Sequence, residues 1–169
     1  MKVINIIIAE DNLEAVERIK NVLEKFSDIK ILGVATNGEE EYRMIKEMEP
    51  DLVFSDIEMP LMDGLEVVDK IKKEKPNTEM QVILITGKAS TDFIKDAIRL
   101  GIFDIIYKPY NDYRITEAID KYKNYLYREE LQKLRNENQI IKKETFLQKI
   151  IQSIKNLMLK RISFNNKKA

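Results

Sequence analysis

Over the first 110 residues, short apolar runs alternate with segments whose apolar positions recur every three or four residues. "VINIIIA" (Val3–Ala9) is rich in Ile and apolar on both faces, which predicts a strand covered from both sides. From Asn12 onward the apolar residues fall at Val16, Ile19, Leu23 and Phe26, a helical spacing. "IKILGVA" (Ile29–Ala35) predicts a second strand. Asn37-Gly38 then opens a helix through Tyr42, Ile45 and Met48, which Pro50 stops. "DLVFS" (Asp51–Ser55) predicts a third strand, and "GLEVVDKIKKEKP" a helix on Leu65, Val68 and Ile71, closed by Pro76. "QVILIT" (Gln81–Thr86) predicts the fourth strand. The helix after it runs on Phe93, Ile94, Ala97, Ile98 and Leu100, with Gly101 placed to end it. "IFDIIY" (Ile102–Tyr107) predicts the fifth strand, with Lys108-Pro109 and another helix behind it.

Five strand–helix units with continuously apolar strands predict an α/β fold. The expected architecture is a doubly wound, five-stranded parallel sheet of the flavodoxin-like order 2-1-3-4-5. In such an open sheet, ligands bind beyond the carboxyl ends of the strands.

After about residue 111 the pattern changes. All five glycines and all four prolines lie before that point. Apolar residues continue at Ile115, Ile119, Tyr122 and Leu126, then in a heptad-like series at Tyr127, Leu131, Leu134, Asn138 and Ile141. A further stripe runs through Leu147, Ile150, Ile151, Ile154, Leu157, Met158 and Ile162. This predicts one long helix leaving the sheet domain, with a second helix or a continuation of the first behind it. As a single helix, residues 111–144 would extend about 50 Å, too long to pack wholly on a small domain. The expected division is a sheet domain over 1–124 and a helical, coiled-coil-like extension over 125–169.

Charge sharpens that division. The formal net charge is zero, from 29 Lys/Arg and 29 Asp/Glu. Residues 1–120, however, carry 16 basic against 25 acidic side chains, and residues 121–169 carry 13 against 4. The extension is therefore basic and the sheet domain acidic.

The chain has no Cys and no His, which excludes disulfides, thiolate chemistry, an imidazole base and His metal sites. No apolar run approaches the roughly 20 residues of a membrane span, and "VINIIIA" is too short for a secretory segment. A cytoplasmic protein without a membrane partner is expected.

Chemistry-bearing residues collect just past four of the five strands: Glu10-Asp11, Asp56, Thr86-Gly87 and Lys108-Pro109. Any one of them alone would read as ordinary punctuation at a helix start or strand end. Together, on one sheet edge, three carboxylates repel each other unless a cation neutralises them. Oxygen ligands without His or Cys suit a hard divalent ion, Mg²⁺ above all. Lys108 suits a phosphoryl oxygen or Asp56 itself. The Thr86 hydroxyl can donate to the same group, and Gly87 leaves room for it. A carboxylate nucleophile, a hard metal, a lysine and a hydroxyl form a site for phosphoryl transfer to aspartate.

The first 120 or so residues resemble the response-regulator receiver domain of bacterial two-component signalling. The stretches "IIIAEDN", "DLVFSDIEMPLMDG", "VILITGK" and "IIYKP" match its motifs in order and spacing. The resemblance implies that Asp56 accepts a phosphoryl group from the phosphohistidine of a sensor histidine kinase. It implies that Glu10, Asp11, Asp56 and the Glu58 backbone carbonyl hold Mg²⁺, that Thr86 and Lys108 bind the phosphoryl oxygens, and that the Lys108–Pro109 peptide is cis. Such a protein would catalyse only its own phosphorylation and dephosphorylation.

One position departs from the family pattern. The aromatic residue usual three positions before the lysine is Ile105 here, and Tyr107 lies two residues further along the same strand face. Switching through Thr86 would then proceed without the usual ring rotation, or with Tyr107 as surrogate. Around the site, Glu58, Met59, Gly87 and Lys88 are expected to form the rim. A Glu58–Lys88 ion pair there would screen an aspartyl phosphate from water; two solvated charges worth little are the equally weighted alternative.

Other classes fit less well. A haloacid-dehalogenase-type phosphatase needs a second Asp two residues after the nucleophile, where this chain has Glu58. No G-x-x-x-x-G-K-[ST] motif is present, and a flavodoxin-type phosphate loop is replaced by Glu10-Asp11. For output, residues 125–169 suit homodimerisation, with Asn138 setting register, or docking on a downstream protein. Contact with DNA ranks second. A transcription regulator represented without its full output domain remains the alternative within the family.

Overall fold

A computed structural model of the chain describes residues 2–87 and 90–165, with side chains in the last helix described to residue 156. Strands and helices alternate strictly: β1 (Ile4–Ala9), α1 (Leu13–Leu23), β2 (Ile29–Ala35), α2 (Gly38–Met48) and β3 (Leu52–Asp56). They continue as α3 (Gly64–Glu74), β4 (Gln81–Thr86), α4 (Thr91–Arg99), β5 (Asp104–Tyr107) and α5 (Asp112–Asn165). The five strands form one parallel sheet in the order β2-β1-β3-β4-β5. That is the predicted order, and β1 and β3 lie at its centre.

The central strands are apolar throughout because both their faces are covered. Ile7, Val53 and Leu84 point to one side, into a cluster with Met44, Ile45, Val67, Val68 and Ile71 from α2 and α3. Their chain neighbours Ile6, Ile8, Phe54, Ile83 and Ile85 point the other way by strand alternation and are equally buried.

Helix starts follow the local chemistry. Asn12, Asn37, Asp63 and Ser90 each cap a helix by accepting backbone N–H bonds in its first turn. Asp63 and Glu66 complete a reciprocal capping box. Gly101 ends α4 at φ 58°, as its position predicted.

The chain divides into two compact units, Met1–Asp120 and Lys121–Ala169. In the first unit, α5 buries Ile115, Ala118 and Ile119. In the second, α5 continues unbroken, so the continuation rather than a second helix is what forms. Every described residue from Gln132 to Asn156 is exposed, including Leu134, Ile141, Leu147, Ile150, Ile151 and Ile154. Among the described residues, no helix is long and apolar enough to cross a membrane.

Candidate functional site

The parallel sheet brings the carboxyl ends of β1, β3, β4 and β5 to one edge. Asp56 is the last residue of β3 and Thr86 the last of β4, and both are buried. Ladder pairing sets Asp56 against Ile85 and Thr86 against Tyr107. Lys108 follows directly, its N–H donating to the Thr86 carbonyl at 2.8 Å. Its peptide bond to Pro109 is cis. Glu10 leaves β1 fully buried, with its N–H on the Ala35 carbonyl at 3.0 Å. Asp11 beside it is exposed.

Lys108 Nζ lies 2.7 Å from Asp56 Oδ2 and 3.1 Å from Glu10 Oε2. Carboxylate oxygens of Glu10, Asp11 and Asp56 lie within 4.8 Å of one another. Burial raises the Glu10 pKa, and the nearby Asp56 charge raises it further, against the opposing pull of Lys108. For Lys108, burial favours the neutral amine, but hydrogen bonds to Asp56 and Glu10 outweigh it and its pKa is raised.

Among the described residues, the Lys108 ammonium thus bonds two of three clustered carboxyl groups. The shortfall of positive charge, the all-oxygen donors and the exposed Asp11 side fit a hard divalent cation. The Glu58 N–H donates to Asp56 Oδ1 at 3.2 Å, so the backbone after Asp56 turns back toward its carboxylate.

Of the expected rim, Glu58 and Gly87 lie side by side. A Cβ built on Gly87 would meet Glu58 Oε2 at 3.6 Å, which places the Glu58 carboxylate alongside Gly87. Lys88 lies outside the described residues. Met59 is 8% exposed and packs in the core cluster with Met44 and Val67. Its apolar thioether side chain gains more from that cluster than from the polar mouth. At the expected switch positions, Ile105 is half-buried while Tyr107 is 45% exposed.

Three contacts around the site escaped the sequence reading. Arg114 Nη2 donates to Asp104 Oδ2 at 2.8 Å and to the Ile105 carbonyl at 2.9 Å, tying α5 to β5. Gly64 packs so closely under the site that a Cβ there would lie 2.5 Å from the Asp56 carbonyl oxygen. Glu41 is a fully buried acid behind β3, hydrogen-bonded to Ser55.

The sequence model of the response regulator receiver domain matches residues 6–120. The chemotaxis protein CheY of Listeria monocytogenes is 35% identical over 118 residues, covering 70% of this chain and 97% of that protein. The probable C4-dicarboxylate response regulator DctR of Bacillus subtilis is 32% identical over 120 residues, covering 71% of this chain and 52% of that protein. The chain thus spans about half of DctR but nearly all of CheY. Among solved structures, the receiver domain of AraT, a response regulator from Geobacillus stearothermophilus, superposes with a TM-score of 0.66 at 30% identity. That match covers 76% of this chain and 98% of that receiver domain. The CheX–CheY–BeF3–Mg²⁺ complex from Borrelia burgdorferi matches with a TM-score of 0.62 at 25% identity, covering 69% and 86% of the two chains.

Proposed function

The chain belongs to the response-regulator receiver family of two-component signalling, and from that membership we propose that it is switched by phosphorylation of Asp56. The observation that carries this reading is the Lys108 ammonium, 2.7 Å from the Asp56 carboxylate at the edge where four strands end. An Asp56 oxygen attacks the phosphorus of a phosphohistidine on a sensor kinase. The P–N bond breaks, its electron pair stays on the imidazole, and an acyl phosphate forms on Asp56. Lys108 then pairs with a phosphoryl oxygen, and the buried Thr86 hydroxyl donates to another. Hydrolysis of the acyl phosphate returns Asp56 and inorganic phosphate.

Glu10, Asp11, Asp56 and the Glu58 carbonyl would hold Mg²⁺, which offsets the charge of the carboxylates and the incoming phosphoryl oxygens. The protein acts on no substrate but itself. Switching passes through Thr86 and the β5 positions Ile105 and Tyr107, since Tyr107 pairs with Thr86 in the ladder.

The output passes through residues 125–169. Exposed Leu134 and Ile141 in the heptad-like series suit a second copy or a downstream protein. The basic balance of this region keeps nucleic acid as the other target. Light scattering with and without beryllofluoride and Mg²⁺, followed by DNA titration over a salt series, separates them. Association triggered by beryllofluoride without DNA affinity supports a protein output, and DNA binding with a steep salt slope supports a nucleic-acid output.

A further inference from the structure

Glu41 has no part in the phosphoryl chemistry above, yet it is the most deeply buried acid outside the site among the described residues. It lies in the first turn of α2, on the face that carries Met44 and Ile45 into the core. Its Oε2 is 3.0 Å from Ser55 Oγ, and its Oε1 has no hydrogen-bond partner. Ser55 Oγ in turn lies 3.4 Å from the carbonyl oxygen of Asp56. The same turn of α2 also touches the loop after Asp56, where the Gly38 N–H meets the Pro60 carbonyl at 3.3 Å. Gly64 closes the space on the far side of Ser55 Oγ and the Asp56 carbonyl. The segment bearing the nucleophile is therefore held from behind by a buried acid and a buried hydroxyl.

A serine hydroxyl has one hydrogen, and a carboxyl group is a donor only when protonated. Two arrangements follow. An ionised Glu41 claims the Ser55 hydrogen, and the Asp56 carbonyl gets none. A neutral Glu41 gives its own hydrogen to Ser55 Oγ, which frees the Ser55 hydrogen for the Asp56 carbonyl. Burial holds the Glu41 pKa up at about 8, with the Ser55 hydrogen bond opposing it and the Asp63 charge adding to it. Asp63, at the start of α3, is the charged group that faces Glu41 from the elements packed on it. The neutral arrangement therefore prevails at neutral pH.

We propose that Glu41 and Ser55 form a proton-dependent relay, Glu41 to Ser55 to the Asp56 carbonyl, that positions the nucleophile from behind. Glu41 is a positioning residue: it touches neither the phosphoryl group nor the metal site. Its significance for phosphoryl transfer rests on the reading of Asp56 as the acceptor; the relay itself does not. Neutral Glu41 fixes the Asp56 backbone, and ionised Glu41 releases it.

The test uses the full chain, wild type beside Glu41→Gln and Ser55→Ala. A Gln at 41 can donate to Ser55 at every pH, so it holds the relay in its neutral arrangement. Backbone amide signals of Ile57 and Glu58, followed by NMR in metal-free buffer across the neutral to alkaline range, should shift with the Glu41 side-chain carboxyl. That component should vanish in Glu41→Gln. It should also vanish in Ser55→Ala although Glu41 still titrates there, a result that a merely structural role for Glu41 would not produce. Phosphorylation with acetyl phosphate and Mg²⁺ gives the second readout. The Glu41→Gln to wild-type rate ratio should climb by up to about tenfold per pH unit above the Glu41 midpoint. Identical amide titrations in wild type and Glu41→Gln would overturn the relay, as would a constant rate ratio between proteins that both accept phosphate. Should wild type accept none at any pH, the acceptor reading fails and the amide titration alone decides the relay.

Discussion

The Lys108 ammonium bonds the Asp56 carboxylate at 2.7 Å, joining residues from strands that are not neighbours in the sheet. Glu10, from a third strand, shares the same ammonium. Lys108→Met would leave two buried carboxylates without their cation. Because the Lys108 side chain is about a third exposed, the expected destabilisation is about 1–3 kcal/mol, below that of a wholly buried pair. Chemical denaturation measures it. Phosphate acceptance from acetyl phosphate should fall by an order of magnitude or more; an unchanged rate would remove Lys108 from the chemistry.

Glu41 makes stability depend on pH in a stated direction. Its pKa is about 8 when folded, against an unperturbed 4.5. The folded state therefore binds the proton more tightly, and stability from this group is fully present below the unfolded value. That stability is lost as pH rises through the folded one, amounting to about 3–5 kcal/mol over the window. Urea denaturation from mildly acidic to alkaline pH should show wild type losing stability relative to Glu41→Gln, with the difference levelling off above the folded midpoint. Parallel curves would contradict the assignment.

Gly64→Ala tests the packing beneath the site. The added methyl would meet backbone, the Asp56 carbonyl, at 2.5 Å, as well as Ser55 Oγ. The carbonyl cannot yield without moving Asp56. A loss of about 1–3 kcal/mol in stability is expected, together with slower phosphorylation. A variant with wild-type stability and rate would show the loop to be softer than this geometry implies.

The lip of the site offers a kinetic test. Glu58 lies alongside Gly87, where its carboxylate would obstruct water approaching an aspartyl phosphate. Glu58→Ala and Lys88→Ala should each shorten the phosphoryl half-life. Unchanged half-lives in both would remove the idea of a gate.

Much of this was legible in the chain because parallel strands buried on both faces must be apolar throughout, and their ends then show as abrupt polar residues. Asp56, Thr86 and Lys108 were found that way. Contacts made by residues with a ready local explanation were not. Glu41 sits in the acidic run Glu39–Glu41 at a helix start, where acids are expected on dipole grounds. Its spacing of three and four from Met44 and Ile45, which puts it on the buried face, was the overlooked signal. Nothing in the position of Arg114, one basic residue among several on a helix, shows that it binds β5. The packing of Met59 was also not legible, since its place beside Glu58 did not show that its side chain joins the core cluster.

The most direct test of the account is whether Asp56 takes a phosphoryl group. The full chain is incubated with Mg²⁺ and acetyl phosphate, followed by intact-mass spectrometry and peptide mapping after borohydride trapping of the acyl phosphate. The account predicts the mass of one added phosphoryl group, mapped to Asp56, absent when Mg²⁺ is chelated before acetyl phosphate is added and absent in Asp56→Asn. Phosphate incorporation at Asp56 of wild type that persists without Mg²⁺, incorporation at another residue, or no incorporation at all would contradict it.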